Sequence, residues 1–207
     1  MVGESSDFQA PGRRRDGVTG VVLAGGRSLR YGTNKALERV GGVRLIELVI
    51  QALRPVLPEI ILITNTPSDF GFLGLPMYKD RIPNLGPLGG IHTGLYFMPS
   101  PAGFFVACDM PFLNTPLIGY MVSLRNDADA VVPRVSGLLE PLHSVYTNAC
   151  APAVEECVAR GERRIGSFYP MVKVRYVEET EIRRFDPRLG LLTNVNRPED
   201  LPETEAG

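Results

Sequence analysis

The chain has 207 residues, 44% hydrophobic and 22% charged, with a formal net charge of -1. That is enough for one domain with a sizeable core and too few for two comfortable ones. The near-neutral balance argues against a basic nucleic-acid surface or a membrane-attracted face, although a site for anions needs only local positive charge.

In chain order, residues 1–16 are rich in Gly, Ser and Arg and lack an apolar stretch, which predicts a disordered lead-in with no secretory signal. Gly17 to Ala24 (GVTGVVLA) is a short apolar, β-branched run suited to a strand buried on both faces of a parallel sheet. A glycine-rich loop follows. Ile46, Val49, Ile50 and Leu53 recur at helical spacing, predicting a helix over Ile46 to Leu57 that Pro55 and Pro58 stop. The apolar region Val43 to Thr64 is broken by Arg54, Pro55 and Pro58 and so cannot span a membrane. Glu59 to Thr64 reads as a second buried strand, Met77 to Lys79 as a short one, and Gly89 to Met98 as a helix. Phe104 to Cys108 (FFVAC) is another buried strand, and Leu117 to Leu124 is helical. Ala130 to Pro133 and Leu142 to Tyr146 are strands around a turn at Ser136-Gly137. Ala151 to Arg160 is helical, Val172 to Val177 is a strand, and Leu191 to Val195 a last extended piece. Pro202 to Gly207 is a polar tail, which leaves residues 17–201 as the single domain. Cys108, Cys150 and Cys157 lack CxxC spacing and read as buried or free thiols in a reducing compartment.

Alternating strands and helices predict an α/β fold, a Rossmann-like three-layer α/β/α arrangement with a mainly parallel, mixed sheet. Ligands of such sheets bind beyond the carboxyl ends of the strands, so residues that directly follow strands carry the functional argument. Leu23 to Lys35 (LAGGRSLRYGTNK) is the strongest such segment. Ala24, Gly25 and Gly26 let backbone N–H groups approach an anion, and Arg27, Arg30 and Lys35 set cations around the same loop. The loop is neither a Walker A sequence nor GxGxxG. Asp109 directly follows a strand, where a carboxylate can hold Mg²⁺ or merely cap a turn. Asn194 and Asn196, two apart in an extended piece, face the same way. Asn65 ends a strand, and Asp80 lies in a loop where its carboxylate can accept two hydrogen bonds from a guanine edge. His92 is read as a loop residue and His143 as a strand residue with a satisfied ring, neither of them a catalytic base.

LAGGxSxRxGxxK after the first strand, then GPLGGI, CDMPFL and a late NVNRPEDL, resemble the molybdenum cofactor guanylyltransferases, within the glycosyltransferase-A-like nucleotidyltransferase superfamily. The resemblance runs from about Thr19 to Leu201, and LAGG rather than LAAG favours guanylyl over cytidylyl transfer. It implies GTP and molybdopterin as substrates, Mg²⁺ as cofactor and a cytoplasmic enzyme. Transient contact with other cofactor-biosynthesis proteins or acceptor enzymes is implied too, and neither nucleic acid nor membrane is a partner. Leu23, Ala24 and Gly25 would lie against the nucleotide, Arg30 and Lys35 would stabilise triphosphate charge, and Asn65 and Asp80 would contact GTP. Asp109 would bind both GTP and metal, Asn194 and Asn196 would line the reaction centre, and Arg163 and Arg164 would hold the anionic pterin. The sequence departs from the family pattern at Tyr31, where Met is usual, at Asn34, where Asp is frequent, and at Arg197, where Thr is usual.

The chemistry expected is in-line attack of the molybdopterin phosphate on the α-phosphorus of GTP, resting on orientation and charge neutralisation rather than on a base. The alternatives are a cytidylyl- or sugar-phosphate nucleotidyltransferase of the same fold and a non-catalytic nucleotide-binding module. A nicotinamide-dependent oxidoreductase is disfavoured by the missing GxGxxG.

Overall fold

A computed structural model describes residues 17–25 and 34–192. The first element is strand β1 (Val18–Leu23), buried along its whole length. A small hairpin follows, β2 (Arg39–Val40) with β3 (Val43–Arg44), turning at Gly41-Gly42. Helix α1 (Leu45–Leu53) begins where the Arg44 N–H donates to the Glu47 carboxylate at 3.0 Å. It ends ahead of Pro55, which has no N–H to continue the ladder, and so is shorter than its apolar spacing predicts. Then come β4 (Glu59–Ile63), β5 (Met77–Tyr78), α2 (Pro87–Phe97) and β6 (Ala102–Ala107). Helix α3 (Thr115–Ser123) is capped by Asn114, whose side chain accepts from Leu117 N–H at 2.9 Å. Strands β7 (Ala130–Val135) and β8 (Leu138–Leu139) form a hairpin through Ser136 and Gly137, both at positive φ, the geometry of a type I′ turn. Strand β9 (His143–Thr147), α4 (Ala151–Ala159), β10 (Val174–Glu178) and α5 (Glu179–Ile182) complete the described elements.

Eight strands make one sheet in the order β10-β7-β9-β6-β1-β4-β5, with β8 paired to β7. The pairs β1–β4, β1–β6, β4–β5 and β7–β10 are parallel, while β9 runs antiparallel to both β6 and β7. Alternation along each strand sends side chains to two cores. Val22, Leu62, Phe104, Val106 and Val145 pack on one face with Val49 and Leu53 of α1 and Leu117 and Met121 of α3. Val21, Ile61, Phe105 and Tyr146 pack on the other with Ile91 and Leu95 of α2 and Val154 of α4. The sheet is therefore mixed but mostly parallel, with helices on both faces, as the sequence predicts.

Two expectations need correction. Leu191 and Leu192 belong to a 3-10 turn (Gly190–Leu192) rather than to an extended piece, because Leu192 N–H closes onto the Leu189 carbonyl at 3.0 Å. His92 is not in a loop: it lies inside α2, 6% exposed. The tails predicted at 1–16 and 202–207 and residues 193–195 lie outside the described residues.

Candidate functional site

The tip of β1 lies between the tips of β4 and β6. Ala24 N–H donates to the Ile63 carbonyl at 2.9 Å, and Cys108 N–H donates to the Leu23 carbonyl at 3.1 Å. Three segments that follow strands, beginning at Ala24, Thr64 and Cys108, are thus neighbours at the carboxyl edge of the sheet. Leu23 and Ala24 are buried and Gly25 is exposed. Leu23 packs so closely on α2 that a Cβ at Gly90 would come within 3.1 Å of its side chain. Helix α2 starts at this edge behind Gly86, whose backbone (φ 63, ψ -147) is open to glycine almost alone.

Asn65 and Asp80 bind each other reciprocally. The Asn65 amide donates to Asp80 Oδ2 at 2.8 Å, and the Asp80 backbone N–H donates to Asn65 Oδ1 at 3.1 Å. Asn65 is also next to the β1 tip, since a Cβ placed on Gly25 would be 4.0 Å from its Nδ2. The partly exposed pair holds one carboxylate oxygen of Asp80 in place and leaves the other without a hydrogen bond among the described residues.

Asp109 follows β6 by two residues and is partly buried. Burial holds its carboxyl above the usual carboxylate range, its own backbone hydrogen bond opposes this, and the charge of Lys35 opposes it further. Lys35 opens a 3-10 turn (Lys35–Leu37), and its charge also reaches the buried Cys108 thiol, which burial pushes up to about 12. The cation after the glycine loop and the carboxylate after β6 therefore act on the same space. Among the described residues no three or more His, Cys, Asp or Glu side chains converge as a metal site. Magnesium accompanying a triphosphate does not require such a set, because it binds through one or two carboxylates, phosphate oxygens and water. Asp109 fits that role: it offers hard oxygens at a place where burial disfavours an uncompensated negative charge.

Arg163 and Arg164 are exposed in the turn after α4, on the side of the sheet covered by α2 and α4. Arg27, Arg30, Tyr31, Asn194, Asn196 and Arg197 lie outside the described residues. Asn34 donates to Asp69 at 3.2 Å. The three cysteines are free and buried. His143 is fully buried on β9, with its ring edge-on to Phe104 at 5.0 Å. Neither ring nitrogen has a hydrogen-bond partner among the described residues, so the satisfied ring expected for it is not found there. A recess of about 360 Å³ is lined by Arg81, Ile82, His92, Glu155, Val158 and Ala159, beside α2 and α4, and shares no residue with the tip cluster.

Sequence reasoning missed Glu140. It sits in the turn between β8 and β9, half-buried, and the negative charge of Asp109 reaches it. No strand-end rule singles out a turn residue 31 positions downstream.

Comparison with known proteins points one way. Residues 20–174 match the family described as MobA-like NTP transferase domain. A probable molybdenum cofactor guanylyltransferase from Carboxydothermus hydrogenoformans is 37% identical over 183 residues, 88% of this chain and 92% of the relative. The molybdenum cofactor guanylyltransferase of Desulfosudis oleivorans is 34% identical over 193 residues, 92% of this chain and 96% of that one. The structure of molybdopterin-guanine dinucleotide biosynthesis protein A from Archaeoglobus fulgidus superposes with a TM-score of 0.76 at 25% identity, covering 88% of this chain and 94% of that chain. The 4-diphosphocytidyl-2C-methyl-D-erythritol synthase of Anaerococcus prevotii shares the fold alone, at a TM-score of 0.62 and 12% identity over 78% of this chain and 86% of that chain.

Proposed function

We propose that this chain, which belongs to the molybdenum cofactor guanylyltransferases within the MobA-like NTP transferase family, transfers GMP from GTP to the terminal phosphate of a molybdopterin-type cofactor and releases pyrophosphate. The observation that carries this reading is the meeting of the β1 tip, the Asn65–Asp80 pair, Lys35 and Asp109 at one edge of the sheet.

In this reading the guanine lies over Asn65 and Asp80. The carboxylate oxygen of Asp80 not engaged by Asn65 accepts from the guanine N–H groups. The triphosphate runs along Leu23, Ala24 and Gly25, where the exposed glycine lets backbone come close, and its charge is met by Lys35 and Arg30. A phosphate monoester is largely ionised at neutral pH, so the nucleophile needs no strong base. That suits a chain whose two histidines are both buried. An oxygen of the acceptor phosphate bonds to the α-phosphorus, the bond from that phosphorus to the β-bridging oxygen breaks, and the electron pair leaves with pyrophosphate. Asn194 and Asn196 line the reaction centre, and Arg163 and Arg164 draw in the anionic pterin. Asp109 would hold Mg²⁺, which supplies charge neutralisation and orientation of the phosphates. The enzyme works in the cytoplasm, meeting cofactor-biosynthesis proteins or acceptor enzymes only transiently. No helix among the described residues is long and apolar enough to cross a membrane.

The test is pyrophosphate release by purified protein with Mg²⁺, molybdopterin and GTP, CTP or UTP in turn. GTP is expected to be preferred, and Asp109→Ala to lower turnover about a hundredfold or more. Undiminished Mg²⁺-dependent turnover by that variant would remove the metal assignment. A preference for CTP would favour the cytidylyl alternative.

A further inference from the structure

We infer that Thr93 is a positioning residue for base selectivity: from inside α2 it holds the peptide that follows Asp80, and so sets the direction in which the Asp80 carboxylate meets guanine. This rests on the proposed reading of Asp80 as the group that accepts from the guanine edge, and adds a residue that touches neither substrate.

Asp80 stands two residues beyond β5, in a segment with no regular structure of its own. Its direction therefore depends on contacts from either side. On the near side, Asp80 N–H donates to Asn65 Oδ1 at 3.1 Å, which fixes the peptide plane before its Cα. On the far side, Arg81 N–H donates to Thr93 Oγ1 at 3.1 Å, which fixes the plane after it. Those two planes carry the φ and ψ of Asp80, so its Cα–Cβ bond is aimed by side chains from two separate parts of the chain. The Asn65 amide then holds Oδ2. Arg81 is held by α2 a second time. Its guanidinium lies over the Tyr96 ring at 3.6 Å, and Tyr96 is three residues on from Thr93, on the same face of the helix.

Packing alone does not favour threonine at this position. Thr93 is fully buried within α2, where its helix propensity is below that of alanine and where a hydroxyl is costly unless hydrogen-bonded. Its neighbours Gly90 and Gly94 seat α2 closely on Leu23 and on Val21 and Phe105, which fixes the hydroxyl relative to the β1 tip. The contacts close a ring: Leu23 to α2, Thr93 to Arg81, Asp80 to Asn65, and Asn65 to Gly25 beside the β1 tip. A nucleotide lying on that tip and read by Asp80 depends on the ring to keep phosphate floor and base reader in register. If the bond only satisfied a backbone N–H, its loss would lower stability and leave nucleotide choice alone.

The experiment measures the affinity of the full chain for GTP and for inosine triphosphate by titration calorimetry, without acceptor. Thr93→Val keeps the shape and loses the hydrogen-bond acceptor. Its affinity for GTP is expected to fall about three- to tenfold, the range set by one hydrogen bond. Affinity for inosine triphosphate, which offers the carboxylate one donor fewer, should fall less, so the ratio between the two narrows. Thr93→Ser, which keeps the hydroxyl, should restore both affinities. In turnover the loss should appear in KM with kcat unchanged, as for a group that orients bound nucleotide without touching the reacting atoms. In an Asp80→Ala background Thr93→Val should cost no further GTP affinity, because the two residues act as one unit. Additive losses would overturn the inference. So would a Thr93→Val protein with a lowered thermal midpoint and the wild-type nucleotide ratio; a ratio altered by Asp80→Ala alone would then leave Asp80 standing as the base reader. A ratio unchanged in Asp80→Ala as well would remove the base reading itself, and the role of Thr93 with it. Should Thr93→Val not fold, Thr93→Ala, which lacks the same acceptor and has better helix propensity, takes its place in every arm.

Discussion

Asp80 shows how one carboxylate can be both fixed and available. Asn65 occupies Oδ2, and the Asp80 N–H returns the contact to Asn65 Oδ1, so the side chain is aimed before any ligand arrives. A polar site of this kind discriminates mainly by leaving its own groups unpaired when the wrong ligand binds. Asp80→Ala should therefore raise KM for GTP about tenfold or more, since a hydrogen bond to a charged group contributes about 1.5–3 kcal/mol. It should also erase the preference for GTP over inosine triphosphate, which lacks the 2-amino donor. Steady-state kinetics with the two nucleotides checks this, and an unchanged ratio would take Asp80 out of base recognition. At this scale the sequence was readable where chemistry coincides with a strand end: Leu23 to Gly25, Asn65 and Asp109 are all found at the carboxyl edge. The reciprocity of Asn65 and Asp80, 15 residues apart, was not readable, because it depends on β4 and β5 pairing through Leu62 and Ile63.

Helix α2 (Pro87–Phe97) contains three glycines, each costing about 1 kcal/mol of helix propensity relative to alanine. Its sequence is nonetheless helical because tertiary contact requires small residues on the side facing the sheet. A Cβ at Gly94 would lie within 2.8 Å of Val21 and still closer to the Phe105 ring. Phe105 is fully buried and edge-on to Tyr146 at 5.3 Å, and the Tyr146 hydroxyl is hydrogen-bonded to that of Tyr169 at 2.7 Å, so the ring has nowhere to go. Gly94→Ala should thus destabilise the protein despite its better helix propensity, by about 1–3 kcal/mol, the usual cost of overpacking. For a chain of this size each kcal/mol shifts the unfolding midpoint by about 2–4 °C. A midpoint equal to or above that of the parent would show that α2 can lift from the sheet without cost. The predicted helix Gly89 to Met98 matches α2 to within two residues, and β1, β4 and β6 were recognised because strands covered on both faces read as unbroken apolar runs. Of the two-residue strands, β5 was recognised but β2, β3 and β8 were not, since two residues beside a turn show little period.

For the molecule as a whole, the acid limb of stability depends on a group that takes no part in the proposed chemistry. His143 is fully buried on the sheet face covered by α1 and α3, and burial lowers its pKa from the ordinary 6.5 to about 3. Below pH 6.5 the unfolded chain takes up a proton that the folded chain refuses, so stability falls with pH, by up to about 1.4 kcal/mol per unit while the difference persists. His92, lowered by burial and by Arg81, acts in the same direction. Asp109 and Glu140 run the other way: both carboxyls are raised, so in the carboxylate range the folded chain binds protons more readily than the unfolded one and part of the loss is offset. As pH falls below about 6.5 the histidines therefore lower stability, and the raised carboxyls offset part of that loss where they titrate. Urea unfolding of the metal-free protein from about pH 6.5 down to about pH 5 should show a midpoint falling with pH. His143→Leu, an apolar side chain in an apolar setting beside Phe104 and Val145, should flatten the slope while leaving pyrophosphate release at neutral pH intact. A slope unchanged by the substitution would mean that His143 is protonated in the folded state and that the core beneath the carboxyl edge admits water.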